Sequence, residues 1–177
     1  MTKHLLEVKG LCKWYEQDKN RYHVLKNLDF KVEQGSFVVV MGKSGSGKTT
    51  LLNILGLLDN FNEGSYIFNG QDVTKMTENQ RCSFRNNHIG FIFQQFYLIE
   101  SLTVAQNIEL PLLYHGGYNS DERIDMVKKS LQEVELEEKF KSYPHELSGG
   151  QQQRISIARA LVNKSDVILA DEPTGNL

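Results

Sequence analysis

The sequence predicts an α/β fold with a parallel-sheet core, an antiparallel β portion near the N-terminus and a helical insertion over roughly residues 95–149. Three observations predict it. The apolar run Phe37-Val38-Val39-Val40-Met41 leads into the glycine loop Gly42-Lys43-Ser44-Gly45-Ser46-Gly47-Lys48-Thr49, and a helical pattern follows at Thr50–Leu55. Strand, glycine loop and helix, in that order, are the context in which G-x-x-x-x-G-K-[ST] means a phosphate-binding loop. Two further apolar runs, Ile89–Phe93 and Val167–Ala170, end at Gln94 and at the carboxylates Asp171 and Glu172. Short continuous apolar runs suit strands buried on both faces, as parallel-sheet strands are.

The elements follow in order. Leu5–Tyr15 alternates, with Leu6, Val8 and Leu11 apolar and Glu7 and Lys9 polar, which suits a half-buried strand. Polar residues Glu16–Asn20 make a turn into a second strand, His23–Glu33, carrying Val24, Leu28, Phe30 and Val32. Gln34-Gly35 turns the chain into the Phe37–Met41 run. After the loop and its helix, Asp59–Gly64 reads as a loop and Ser65–Phe68 as a short strand ending at the turn Asn69-Gly70. Thr77–Asn87 reads as a polar helix. From Gln95 the pattern is helical: Val104–Tyr114, with Pro111 as a terminator or kink; then a helix capped by Asn119 or Ser120, with Ile124, Val127, Leu131 and Val134 as its core stripe. Leu147-Ser148-Gly149-Gly150 opens the last helix, with Ile155, Ala158, Leu161 and Val162 on one side.

Composition bounds the function. A chain of 177 residues holds one domain with a core. Net charge is −2 and pI about 6.2, so no general electrostatic attraction to nucleic acid is expected. No apolar run approaches the length of a membrane span, so no direct membrane insertion is expected. The N-terminus has no signal-peptide core. Cys12 and Cys82 have no metal-like spacing and read as free thiols of a reducing cytoplasm. His4, His23, His88 and His115 have no metal-like spacing either, and His145 reads as a solvated loop residue.

The glycine loop carries a specific chemistry. Glycines at 42, 45 and 47 let backbone N–H groups turn into one hollow, and a helix N-terminus adds partial positive charge. Lys43, Ser44, Ser46 and Thr50 complete the cradle. Lys48 can reach the β- and γ-phosphates, and the Thr49 hydroxyl can ligate Mg²⁺. A glycine-rich surface turn is the plainer reading, but it does not require a Lys-Thr pair in this frame. Asp171 at a strand exit suits the Mg²⁺ shell, and Glu172 suits a water-polarising base, worth about 10²–10⁴-fold in rate. Two solvated acids would be the better reading of that pair alone; with Lys48 in the same chain they are not. Ser148-Gly149-Gly150-Gln151 is a second anion-binding device at a helix start. One nucleotide has no use for two such cradles, so the second is expected to serve a nucleotide held by a partner chain. The Gln94 amide can touch a metal or a water.

In this order the motifs resemble those of the ATP-binding subunits of ABC transporters: Walker A at Gly42–Thr49, Q-loop at Gln94, signature motif at Leu147–Gln151, Walker B at Val167–Asp171, then Glu172. The resemblance covers essentially the whole chain. It implies a P-loop ATPase binding ATP and Mg²⁺, with Glu172, Lys48 and Gln94 catalytic. It implies a dimer with a second ATP-binding subunit, Lys48 of one facing Ser148 of the other. It further implies a separate membrane permease, with the chain held peripherally on the inner face of the cell membrane. Tyr15 sits where the family places an aromatic that stacks on adenine, and Trp14 is its neighbour. Leu51–Asp59 and Leu169–Leu177 are similar to the branch of macrolide exporters, lipoprotein-release systems and antimicrobial-peptide resistance pumps, so export is expected. That branch commonly has proline before the Leu102-Thr103 pair, where this chain has Glu100 two positions earlier. Phe96 and Tyr97 are open between core packing and receiving a helix of the permease.

The resemblance also implies elements beyond Leu177: an interface aspartate, then a central strand carrying a histidine that contacts the γ-phosphate. Residues 1–177 therefore read as a single domain incomplete at its C-terminus, a fragment of a longer protein. Two other functions stay open at this stage: an ABC ATPase of the cell-division type without transport, and an ATP-binding module without turnover.

Overall fold

A computed structural model describes residues 4–17 and 20–173; the expectations for Thr174–Leu177 lie outside the described residues. The chain forms two compact units, Met1–Arg81 and Cys82–Leu177.

The first unit is built on a four-stranded antiparallel sheet ordered β2 (Asn20–Glu33), β1 (His4–Gln17), β3 (Glu63–Phe68), β4 (Gln71–Asp72). Both flanking strands of β1 run against it, so its inward side chains are covered. Leu6 and Val8 are buried, but so are Leu11 and Lys13, one position out of phase. The phase changes at Gly10, where the pairing with β2 slips between Val8 and Leu11 and that with β3 slips between Lys9 and Cys12. Gly10 has a φ of 58°, a left-handed value that suits a bulge. β3 comes so close there that a Cβ on Gly64 would lie 2.6 Å from both the Lys9 and Gly10 carbonyl oxygens. Asn69 and Gly70 (φ 47° and 82°) turn β3 into β4 with the two left-handed residues a tight hairpin needs. Tyr66 and Phe68 of β3 are fully buried, and the Tyr66 hydroxyl donates to the Leu55 carbonyl at 3.0 Å. Helix α1 (Lys48–Leu55) buries Leu51, Ile54 and Leu55, each worth about 1.5–3 kcal/mol when fully covered.

One expected element is absent. Phe37–Met41 is not a strand and not buried: Phe37 is 93% and Met41 87% exposed, and Val38–Val40 are all more exposed than buried neighbours of the sheet. A β-branched run adopts a buried strand only where neighbouring strands supply ladder partners and cover. Among the described residues no strand pairs with it.

The second unit pairs β5 (Ile89–Ile92) in parallel with β6 (Val167–Ala170), Ile89 opposite Val167 and Ile92 opposite Ala170. Only Leu169 of β6 is buried and Ala170 is exposed, whereas Ile89, Gly90 and Ile92 of β5 are buried. Helix α2 (Glu78–His88) leads into β5. Helices α3 (Val104–His115), α4 (Ser120–Glu133) and α5 (Gly149–Leu161) share one core of Val104, Ile108, Leu112, Val127, Leu131, Leu136, Ile155 and Val162. Ile124 and Leu161, expected in these stripes, face water. The three helices start on capping boxes: Thr103 with Gln106, Asn119 with Glu122, Ser148 with Gln151. Buried Asn107 ties down the approach to α3, accepting from the Ile99 N–H and donating to the carbonyls of Ile99, Leu102 and Thr103. Pro111 does not terminate α3, which runs on to His115. Its carbonyl accepts from the side-chain amides of Asn86 and Asn163.

Gly64→Ala is expected to destabilise the first unit by about 1–3 kcal/mol from backbone strain, before any clash. Gly35→Ala, also at a left-handed φ but with nothing within 4 Å of a Cβ, should cost less. Paired urea unfolding curves check this; equal midpoints for the two variants would contradict the close approach of β3 to the bulge.

Candidate functional site

Helices α2 (through Thr77), α3, α4 and α5 each carry a capping side chain; α1 does not. Its N-cap is Gly47, at φ 92° and ψ 11°, with no side-chain bond to the first turn. A Cβ there would press 2.9 Å from a Leu25 methyl and 3.2 Å from the Val24 carbonyl, so glycine is required for both conformation and space. The first intrahelical bond runs from the Leu51 N–H to the Gly47 carbonyl at 2.8 Å. The N–H groups of Lys48, Thr49 and Thr50 therefore have no acceptor within the helix, and they point out at its positive end. A Cβ on Gly42 would lie 2.6 Å from the Ser46 hydroxyl, so the loop closes on itself there. The Lys48 ammonium folds back over it, donating to the carbonyls of Gly42 at 3.0 Å and Lys43 at 3.2 Å. A cleft of about 420 Å³ is bordered by Gly42, Ser46, Gly47 and Lys48 on one side and by Val24, Leu25 and Leu28 of β2 on the other. Gly42, Lys43, Ser44, Gly45, Ser46 and Thr49 are exposed, and Thr50 is half-buried. A cation, amide donors without an acceptor in the helix and the Ser46 hydroxyl thus border one cleft, the groups that suit an anion.

Tyr15, exposed near the end of β1, is in the same unit. Its hydroxyl donates to Asp59 Oδ2 at 2.9 Å. Trp14 points to the opposite face, where its ring tilts against His23 and carries the Arg21 guanidinium 4.7 Å above it. Burial pushes the Asp59 carboxyl up, but bonds from Lys13, Tyr15 and the Asn60 N–H outweigh this and hold it below the usual carboxylate range. Sequence reasoning missed Lys13 and Asp59. The available signal was a lysine at an inward strand position, legible only once the Gly10 bulge is known.

In the second unit the parallel register organises the polar residues. The β5–β6 pairs are offset by 78 in sequence, and the offset continues past both ends of the ladder. Gln94 Nε2 donates to Glu172 Oε2 at 3.0 Å, and at the other end His88 Nδ1 meets Asp166 Oδ2 at 2.7 Å. Asp171, half-buried, is tied to β5 through its own N–H, which donates to the Ile92 carbonyl at 2.9 Å. Glu172 has a left-handed φ of 45°, and the Gln153 side chain donates to the next carbonyl, of Pro173, at 2.7 Å. The strand exits thus bring Gln94, Asp171 and Glu172 together. Ser148 starts α5 with its hydroxyl accepting from the Gln151 N–H at 3.3 Å; Ser148 and Gly149 are exposed, Gly150 and Gln151 half-buried.

After Gln94, Tyr97 adopts a φ of 47°, and its ring meets Phe93 edge-on at 5.0 Å while Phe93 stacks on Phe91. Arg159 of α5 donates to the carbonyls of Phe96 and Tyr97, both at 2.7 Å. Burial holds its pKa below the usual arginine range. This clamp was also missed, because neither end of it is a motif residue. A cleft of about 570 Å³ lined by Asn86, Phe91, Tyr114, Arg159 and Asn163 contains no residue of the glycine loop and none of Gln94, Ser148, Asp171 and Glu172.

A glycine loop opening an uncapped helix, joined in one chain to a parallel strand that delivers carboxylates, defines the phosphate-loop class of nucleotide-binding proteins. Within that class, a family model described as ABC transporter matches residues 25–175, and the chain belongs to the ABC transporter ATP-binding family. It is 48% identical over 173 residues to an uncharacterized ABC transporter ATP-binding protein of Methanocaldococcus jannaschii, covering 98% of this chain and 77% of that one. It is 45% identical over 174 residues to a macrolide export ATP-binding/permease protein of Mannheimia succiniciproducens, covering 98% of this chain and 27% of the relative. The chain thus spans about a quarter of the length of the macrolide export proteins it matches. Its fold matches that of an ATP-binding cassette solved as a dimer in a post-hydrolysis state with ADP and Pi: TM-score 0.90, 42% identity, 97% of this chain and 75% of that one.

Arg159→Leu should leave the part-buried Phe96 carbonyl without its donor, at about 1–3 kcal/mol, and pass the exposed Tyr97 carbonyl to water. The expected outcome is faster cleavage by chymotrypsin after Phe96 and Tyr97 with little change at α3 or α4; an unchanged digestion pattern would show that the clamp does not hold this segment.

Proposed function

We propose that this chain is the ATP-binding and hydrolysing part of a transporter, driving substrate movement, in the export direction, through a separate membrane permease. The observation that carries the reading is the uncapped start of α1 under the Lys48 ammonium, because donors left without an internal acceptor are what a triphosphate requires. Gly42–Thr50 hold the phosphates through backbone donors and hydroxyls. Lys48 exchanges its carbonyl contacts for the β- and γ-phosphates, where a charge-assisted bond is stronger. Tyr15 takes the adenine.

Thr49 in the first unit, and Gln94 and Asp171 in the second, each offer the kind of hard oxygen Mg²⁺ takes, and Mg²⁺ needs few protein ligands because water and phosphate complete its shell. When bound, the ion supplies charge neutralisation on the phosphate oxygens. Glu172 orients and polarises the attacking water, and the Gln94 amide bonded to it fixes where its carboxylate points. Ser148–Gln151 present a hydroxyl and a helix N-terminus to the nucleotide of a second copy, so two chains enclose two nucleotides. The dimeric cassette with ADP and Pi supports that arrangement, and the macrolide export relatives, which join an ATP-binding part to a permease, support the transport role. No helix among the described residues is long and apolar enough to cross a membrane. We place the chain at the inner face of the cell membrane through its permease.

Lys48→Ala is expected to weaken ATP binding about 10- to 100-fold, the worth of one bond to a charged group. Glu172→Gln should keep ATP affinity and lose phosphate release by about 10²–10⁴-fold. Equilibrium binding of a fluorescent ATP analogue and a phosphate-release assay check the pair. Unchanged affinity in Lys48→Ala removes the phosphate-loop assignment; binding without turnover in the parent chain itself supports a module that binds ATP only.

A further inference from the structure

Lys13 is a cation buried on a strand whose other inward residues are apolar, with its side chain 8% exposed. The phosphate cradle makes no use of it. Burying an ammonium costs several kcal/mol unless it is paired and its donors are satisfied, so its partners show what it is kept for. It donates to Asp59 Oδ1 at 2.8 Å and to the Asn60 carbonyl at 2.5 Å. It also stands 4.6 Å from the centroid of the Tyr15 ring, on one face. Asp59 spends its second oxygen on the Tyr15 hydroxyl. One carboxylate therefore holds both the cation behind the ring and the hydroxyl at its tip. The plainer account is that Lys13 and Asp59 only pin the Asp59-Asn60 loop to β1. That account explains the bonds to Asp59 and Asn60, but not why the ring of Tyr15 is held in the same network while remaining 46% exposed.

We propose that Lys13 and Asp59 are positioning residues for nucleotide-base recognition: together they lock Tyr15 as a rigid platform, backed by the ammonium on one face and offered to a purine on the other. This rests on the reading of Tyr15 as the base-stacking residue. Two physical effects follow from the arrangement. An exposed tyrosine ring must otherwise be immobilised when a base stacks on it, and a ring held beforehand by its hydroxyl has that cost removed. A cation on the back face draws π density toward itself, so a base stacked on the front meets a less negative surface and the mutual repulsion of two π faces falls.

Calorimetric titration of the full 177-residue chain with ATP and with inorganic tripolyphosphate separates the base from the phosphates. Tyr15→Phe, which keeps the ring and loses the tether, and Lys13→Met, which keeps the stem and loses the charge, are each expected to weaken ATP about three- to tenfold, the scale of one cation–π or hydrogen-bond contact. Tripolyphosphate affinity should stay at the parent value in both. Asp59→Ala should show at least the larger of the two losses. Parallel losses for ATP and tripolyphosphate would mean that the network only supports the fold, and would overturn the proposal. Tyr15→Phe perturbs no buried packing, so it decides the matter even if Lys13→Met fails to fold. Tyr15→Ala distinguishes the two levels of the argument. If it weakens ATP selectively while Tyr15→Phe and Lys13→Met do not, Tyr15 binds the base but Lys13 and Asp59 do not position it. If it leaves the ratio of ATP to tripolyphosphate affinity unchanged, the stacking role itself is wrong and the proposal falls with it.

Discussion

Gly47 sits where β2 leaves no room for a side chain and where α1 must begin. Its left-handed φ turns the chain sharply enough that α1 starts without a residue in the extended conformation that a capping serine or asparagine would adopt. The same position would otherwise carry a Cβ into Leu25 and Val24. The helix is therefore left with its first amides unanswered, beside a lysine whose ammonium is held over the loop. The register of Thr49 and Thr50, and with it the phosphate binding proposed for this loop, depends on this one backbone constraint. The helices of the second unit illustrate the alternative. Each is closed by its own side chains, and in α5 the hydroxyl of Ser148 accepts from the Gln151 N–H while keeping its own O–H as a donor.

Legibility in the sequence followed the range of the physics involved. The capping residues Asn119 and Ser148, the tight turn at Asn69-Gly70 and the parallel strands ending at Gln94 and Asp171 rest on local chemistry, and they form where the pattern puts them. Phe37–Met41 reads as a buried strand because its residues favour that state, yet a strand exists only through its neighbours, and five apolar residues do not say whether neighbours are present. Pro111 reads as a terminator or a kink; it does not terminate α3, whose packing through Ile108 and Leu112 offsets the loss of one N–H. Lys13 and Asp59 are remote in sequence and meet only because the Gly10 bulge turns Lys13 inward. No periodicity could have paired them.

The parallel register of β5 and β6 has an effect on the candidate site that neither strand has alone. A constant offset means that whatever follows one strand emerges beside whatever follows the other. Gln94 and Glu172 are adjacent for that reason, with no loop needed to bring them together. A slip of even one residue would turn every side chain of one strand to the other face and separate the pair. The bond of His88 to Asp166 at the opposite end acts as a second marker of the same alignment, so the site geometry is guarded from both ends of a ladder only four residues long.

The open run at Phe37–Met41 has a consequence for the behaviour of the chain in bulk. It is uncharged, rich in valine, free of proline, and its backbone is unpaired by any described strand. Those are the attributes of a segment that adds readily to another extended segment, including the same five residues of a second copy. Whatever covers this stretch governs how concentrated the protein can become before it self-associates.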